Sequence, residues 1–212
     1  MTEDQIKAKQ RIFDAAVSLF ARKGFAAVSV RDIATKAKVN IAMINYYYGG
    51  KAGILKTIVN ECFDKYYKTI KEVGEKDLPL EEHVKLMIRT VVDFFRKNTE
   101  IAIIAFDVIP LDIPEILDLK TRWVEGIREG MKTFHEKLGY DTSDLVQQSV
   151  GPGIFVAIVV SHFQGMYAAE NLPQYRELVK QLGDDFYNRY SEMLANIFLY
   201  GITGKKKKEI PR

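Results

Sequence analysis

Apolar residues recur along almost the whole chain at the three- and four-residue spacing of an amphipathic helix. Ile12, Ala15, Ala16, Leu19 and Phe20 lie at i, i+3, i+4, i+7 and i+8, one stripe of a first helix that Gly24 would close. Ser29 is placed to cap a short second helix from Val30 to Lys36, with Ile33, Ala34 and Ala37 inward. Asn40 is placed to cap a third, from Ile41 to about Tyr47, with Ile44 inward. Gly49-Gly50 then breaks the chain, and a long fourth helix is expected from Lys51 to about Val73.

Further on, a fifth helix is expected from Leu78-Pro79 through Arg96, with Val84, Met87, Ile88, Val91, Phe94 and Phe95 as its buried side. A sixth, capped by Asn98 or Thr99, should end at Pro110. Residues 115–138 read as helix closing at Gly139, and residues 142–170 as helix interrupted at Gly151-Pro152-Gly153. A last helix is expected from about Gln174 to Ile202, its apolar stripe sustained for seven turns. No useful β-type alternation and no internal repeat appear. The fold class predicted is all-α with about nine helices, a three-helix head followed by a larger helical domain.

Charge changes this picture by dividing the chain. Over the whole chain the net charge is +3, but residues 1–60 hold ten Lys/Arg against four Asp/Glu, a net +6. Residues 61–204 carry −7, and the tail from Lys205 to Arg212 returns +4. A basic head on an acidic body suits a protein that meets a polyanion at one end. Charge alone would also allow RNA or an anionic membrane surface, the alternative reading of the head.

Candidate chemistry elsewhere is sparse. His83, His135 and His162 are scattered, without metal-ligand spacing, and Glu81-Glu82-His83 reads as a solvated helix face. No glycine-rich phosphate loop or nucleophile elbow is present, so neither catalytic residues, a metal nor a cofactor is expected. The single cysteine, Cys62, precludes a disulfide framework and fits a reducing cytoplasm. The polar segment Met1 to Lys9 lacks an apolar signal core, and the longest apolar run, Ile154 to Ser161, is far short of the ~20 residues that span a bilayer. A cytoplasmic protein with no membrane role is therefore expected.

Two short helices joined by about three residues and backed by a supporting helix are the layout of a helix-turn-helix, whose second short helix enters the major groove. Within residues 12–55, Ala15-Ala16, Leu19-Phe20, Gly24, Ser29-Val30, Asp32-Ile33-Ala34, Ala37, Val39, Asn45 to Tyr48 and Lys51 together closely resemble the N-terminal domain of the tetracycline-repressor (TetR) family. The resemblance covers roughly residues 10–58. Three positions depart from the family pattern. Lys38 stands where a glycine often makes the turn, Asn45 replaces a tyrosine common in the third helix, and Ala52 replaces an acidic residue after the fourth-helix lysine.

The resemblance implies a ligand-responsive repressor, released from DNA when a small molecule occupies its C-terminal domain. Its domains would be 1–55 (DNA binding), 56–204 (effector binding and dimerisation) and a basic tail, 205–212, with the fourth helix linking the first two. Ser29 and Arg31 would meet DNA from the second helix; Asn40, Ala42, Met43, Asn45 and Tyr46 from the third; Tyr47 and Lys51 would contact phosphates. Tyr48 is expected to pack in the core. The partners implied are a palindromic double-stranded operator, a second copy through the last two long helices, and a small effector. Phe106, Trp123, Phe155 and His162 are the ligand candidates, and their aromatic character points to an apolar or amphipathic effector.

Overall fold

The computed structural model describes residues 3–106, 113–130, 136, 139 and 145–202. The described residues form ten α-helices and no strand. They are α1 (Glu3–Lys23), α2 (Val30–Ala37), α3 (Ile41–Tyr48), α4 (Lys51–Gly74), α5 (Leu80–Lys97), α6 (Thr99–Phe106), α7 (Pro114–Gly130), α8 (Leu145–Glu170), α9 (Pro173–Lys180) and α10 (Asp184–Asn196). A π-helical turn, Ile197–Ile202, follows α10. The chain separates into two compact units. Asn98–Val124 groups with Met1–Lys65, and Tyr66–Lys97 groups with the rest.

In the first unit α1 packs against α2, α3 and α6. Its buried side therefore exceeds the single stripe of the sequence pattern, adding Ala8, Phe13 and Val17 to Ile12, Ala15, Ala16 and Phe20. A helix gripped from more than one side must be apolar over more than one face. Ile33, Ile44, Ile54 and Ile58 are fully buried, which fixes the facing of α2, α3 and the first half of α4. Phe63 of α4 stacks on Trp123 at 4.1 Å and meets Phe106 edge-on at 6.0 Å.

In the second unit α5 packs on α8 and α10, and α9 packs on α8. Val84, Met87, Ile88, Val91, Phe94 and Phe95 are buried as the pattern predicts. His83 is not on a solvated face. It is fully buried, its Nε2 2.8 Å from the Val73 carbonyl oxygen. It lies four residues before Met87 and eight before Val91, so the helical period carries it inward with them. Arg96 pairs with Asp184 at 2.6 Å and lies 4.8 Å over the Tyr187 ring, tying α5 to α10.

Two helix boundaries differ from the sequence pattern. α8 runs unbroken through Gly151-Pro152-Gly153, since one missing donor removes one rung of the hydrogen-bond ladder without ending the helix. The expected seven-turn last helix is instead α9 and α10, separated at Leu182-Gly183, where Gly183 takes an extended backbone (φ −89°, ψ −162°) as the N-cap of α10. The apolar period continues across that break, so periodicity could not reveal it. The basic tail, the end of the sixth helix at Pro110 and most of residues 131–138 lie outside the described residues.

Candidate nucleic-acid interface

The reading head is built from local signals that agree with one another. At Ser29 the hydroxyl accepts from the Asp32 amide N–H at 3.1 Å, while the Ser29 amide donates to the Asp32 carboxylate at 2.8 Å. This reciprocal pair is a capping box that satisfies donors otherwise orphaned at a helix start. The Ser29 hydroxyl also donates to Asp32, at 2.6 Å. These hydrogen bonds, with the charge of Lys23 assisting, hold the Asp32 carboxyl below its ordinary range.

α2 ends at Lys38, whose backbone lies in the left-handed region (φ 55°, ψ 50°). The Lys38 N–H reaches Thr35 O at 3.3 Å and the Val39 N–H reaches Ala34 O at 3.0 Å, the paired bonds of a Schellman close. The departure from glycine has thus left the turn geometry intact and placed the strain on a lysine. Asn40 then caps α3, its Oδ1 accepting from the Ala42 N–H at 2.9 Å. Gly49 (φ 69°) ends α3 with its N–H on Asn45 O at 2.9 Å, and Gly50 (φ 111°) turns the chain into α4.

Contacts distant in sequence hold this head on its support. The Arg11 Nε–H donates to Ala37 O at 3.2 Å, and the Lys36 ammonium donates to Ser18 Oγ at 2.7 Å. The Tyr48 hydroxyl donates to Lys9 O at 2.9 Å. Burial first, then the nearby Asp14 and Glu61 carboxylates, push its ionisation up to about 12, so it remains a donor at any ordinary pH. Gly53 is a position the sequence reading missed. A Cβ there would fall directly onto the Tyr48 carbonyl, so α4 begins against the end of α3 only because no side chain intervenes.

All nine residues expected at DNA lie in the first unit, between Ser29 and Lys51. Ser29, Arg31, Asn40, Ala42, Asn45 and Tyr46 are exposed; Met43, Tyr47 and Lys51 are half-buried. Tyr46 is the most prominent, 78% exposed and edge-on to Tyr47 at 5.0 Å. Ser29 and Asn40 also serve as caps. The Lys51 ammonium donates to Phe25 O at 3.0 Å and Val28 O at 2.9 Å and lies 4.1 Å over the Phe25 ring. Two of its three donors therefore secure the loop before α2, a role with no local sequence signal.

The four ligand candidates do not share one unit. Phe106 and Trp123 meet edge-on at 5.1 Å in the first. Phe155 lies 6.4 Å from Phe198 in the second, where His162 stacks on Tyr190 at 4.3 Å. Burial lowers the His162 pKa. Among the described residues no three His, Cys, Asp or Glu side chains group as a metal site, and no helix is long and apolar enough to cross a membrane.

A capped two-helix unit on a supporting helix, with the second helix exposing its outer face, defines a helix-turn-helix DNA-binding protein. Residues 12–58 match the sequence profile of the bacterial regulatory proteins of the tetR family. A relative in Bacillus subtilis (strain 168), the probable HTH-type transcriptional regulator YttP, is 25% identical over 161 residues, 75% of this chain and 72% of the relative. The HTH-type transcriptional repressor Rv3405c of Mycobacterium tuberculosis is 29% identical over 85 residues, 39% of this chain; the match spans 45% of the repressor's length. The fold is shared with the transcriptional regulator FadR from Bacillus subtilis, solved in complex with stearoyl-CoA. That likeness has a TM-score of 0.64 and 15% identity, covering 91% of this chain and 98% of FadR. These relatives are transcriptional regulators, not enzymes.

Proposed function

We propose that the chain is a cytoplasmic repressor that binds a palindromic operator as a homodimer and leaves it when an apolar or amphipathic small molecule is bound. The observation that carries the DNA reading is α3 itself: anchored by the fully buried Ile44, it holds Ala42, Asn45 and Tyr46 exposed. Arg31, exposed in the first turn of α2, adds a guanidinium to the same unit. Tyr47, near the end of α3, and the remaining Lys51 donor, at the start of α4, suit phosphate oxygens, and a helix N-terminus favours an anion.

Dimerisation is supported by the second unit. Ile158 on α8 is 39% exposed, and Met193 and Ile197, one turn apart along α10 and its π-helical end, are 51% and 47% exposed. Beside them His162 Nε2 and the Tyr190 hydroxyl are buried without a hydrogen-bond partner among the described residues. An apolar face with orphaned polar atoms suits a self-complementary contact with a second copy. The effector reading rests on the Phe63–Phe106–Trp123 cluster, because Phe63 belongs to the helix that begins beneath the reading head. A ligand displacing those rings would act on α4 directly. FadR's stearoyl-CoA makes a long acyl chain the first effector to try.

The test is fluorescence polarisation with duplex DNA from the region upstream of the gene, with and without acyl-CoA. Tight binding to that duplex over unrelated duplexes and RNA, weakened by ligand, is expected. Equal binding to all of them would overturn the operator reading and favour a nonspecific polyanion binder.

A further inference from the structure

α3 spells Ile-Ala-Met-Ile-Asn-Tyr-Tyr-Tyr and carries no charged residue. In the major groove guanine is read chiefly by arginine or lysine, adenine by the amide of asparagine or glutamine, and thymine through its methyl group by apolar side chains. The exposed surface of α3 offers the last two, together with the Tyr46 hydroxyl, and no charged donor for guanine. Ile41 is 38% exposed, Ala42 beside it is exposed, and Asn45 stands exposed one turn further on. The neighbouring cations do not make up the lack. Lys36 is held on Ser18 and Lys51 on the Phe25 and Val28 carbonyls. Lys38 lies in the turn before the helix. Arg31 remains, exposed in the first turn of α2 and outside the Ser29–Asp32 capping box.

From this chemistry we infer that each operator half-site presents A·T pairs to α3, with thymine methyls against Ile41 and Ala42 and an adenine for Asn45. A single guanine, read by Arg31, lies to one side of them. The inference rests on the operator-binding reading above and assigns the bases that reading leaves open. It also makes Ile41, absent from the nine expected contacts, a specificity-determining residue.

The experiment is selection of the full chain on random duplexes, followed by polarisation with the selected site and with copies in which single thymines are replaced by uracil. Uracil pairs identically and lacks only the methyl. Each contacted position should lose about fourfold in affinity, the worth of one buried methyl-sized group. Ile41→Ala should shrink that penalty at one position per half-site while the penalties at the other thymines persist, a pattern that misfolding cannot produce. Arg31→Ala should relax the guanine preference by about fivefold or more while leaving the A·T positions selected. Selected half-sites rich in G·C under α3, or uracil substitutions without effect, would overturn the inference while operator binding stands. No enrichment of any sequence would overturn both.

Discussion

At Lys38 the backbone sits at φ 55° and ψ 50°, and it is the one non-glycine residue with positive φ among those described. Left-handed backbone costs an L-residue with a Cβ roughly 1–2 kcal/mol. Glycine removes that cost but loses about 0.5–1 kcal/mol through the greater freedom of its unfolded chain. The Schellman bonds to Ala34 and Thr35 come from the Lys38 and Val39 backbone, so they survive the change. Lys38→Gly should therefore stabilise the first unit by roughly 0.5–1 kcal/mol, or about 1–4 °C in Tm for a chain of this size. Urea unfolding followed by the fluorescence of Trp123, the single tryptophan, reports on the right part of the molecule, because Trp123 stacks on Phe63 within the same unit. Lys38→Ala is the control: it removes the charge and the long side chain but keeps the Cβ, and should gain little. Glycine no more stable than alanine would refute the reasoning that the turn stores backbone strain.

Three further outcomes follow from other contacts. Gly53→Ala should destabilise by at least about 3 kcal/mol, since the new Cβ meets backbone that cannot rotate away; a circular-dichroism melt within 2 °C or so of the parent would contradict the packing of α4 on α3. Lys51→Ala should lower stability by about 2–3 kcal/mol through loss of two charge-assisted bonds and the contact with Phe25. If the third donor meets a phosphate, the salt slope of operator binding should also flatten by about 1; an unchanged slope would confine Lys51 to its structural role. Burial lowers the folded-state pKa of His162 from its ordinary 6.5, so the unfolded chain takes up the proton first. Stability should be full above about pH 6.5 and fall with acid until the lowered pKa is passed. His162→Phe should remove that portion of the pH dependence in urea titrations, and a parallel profile would show that another group is responsible.

The helix-turn-helix was legible in the sequence because its determinants are local. The Ser29 and Asn40 caps, the glycines at 24 and 49 and the inward Ile33 and Ile44 act within a few residues of the elements they set. The same holds for the buried face of α5, where helical period alone sorts inside from outside. The absence of any charged residue from α3, on which the proposed base preference rests, is likewise visible in composition alone. Tertiary structure decided what depends on partners far along the chain. Nothing near Lys51 marks its ammonium for carbonyls 23 and 26 residues earlier, and nothing near Tyr48 marks its hydroxyl for Lys9. The packing of α6 on α1 widened a buried face that period alone made narrow. The break at Gly183 escaped a periodicity that runs through it. Period and caps report how a segment prefers to fold, whereas the reach of a long side chain and the face that a second helix covers exist only once distant segments are brought together.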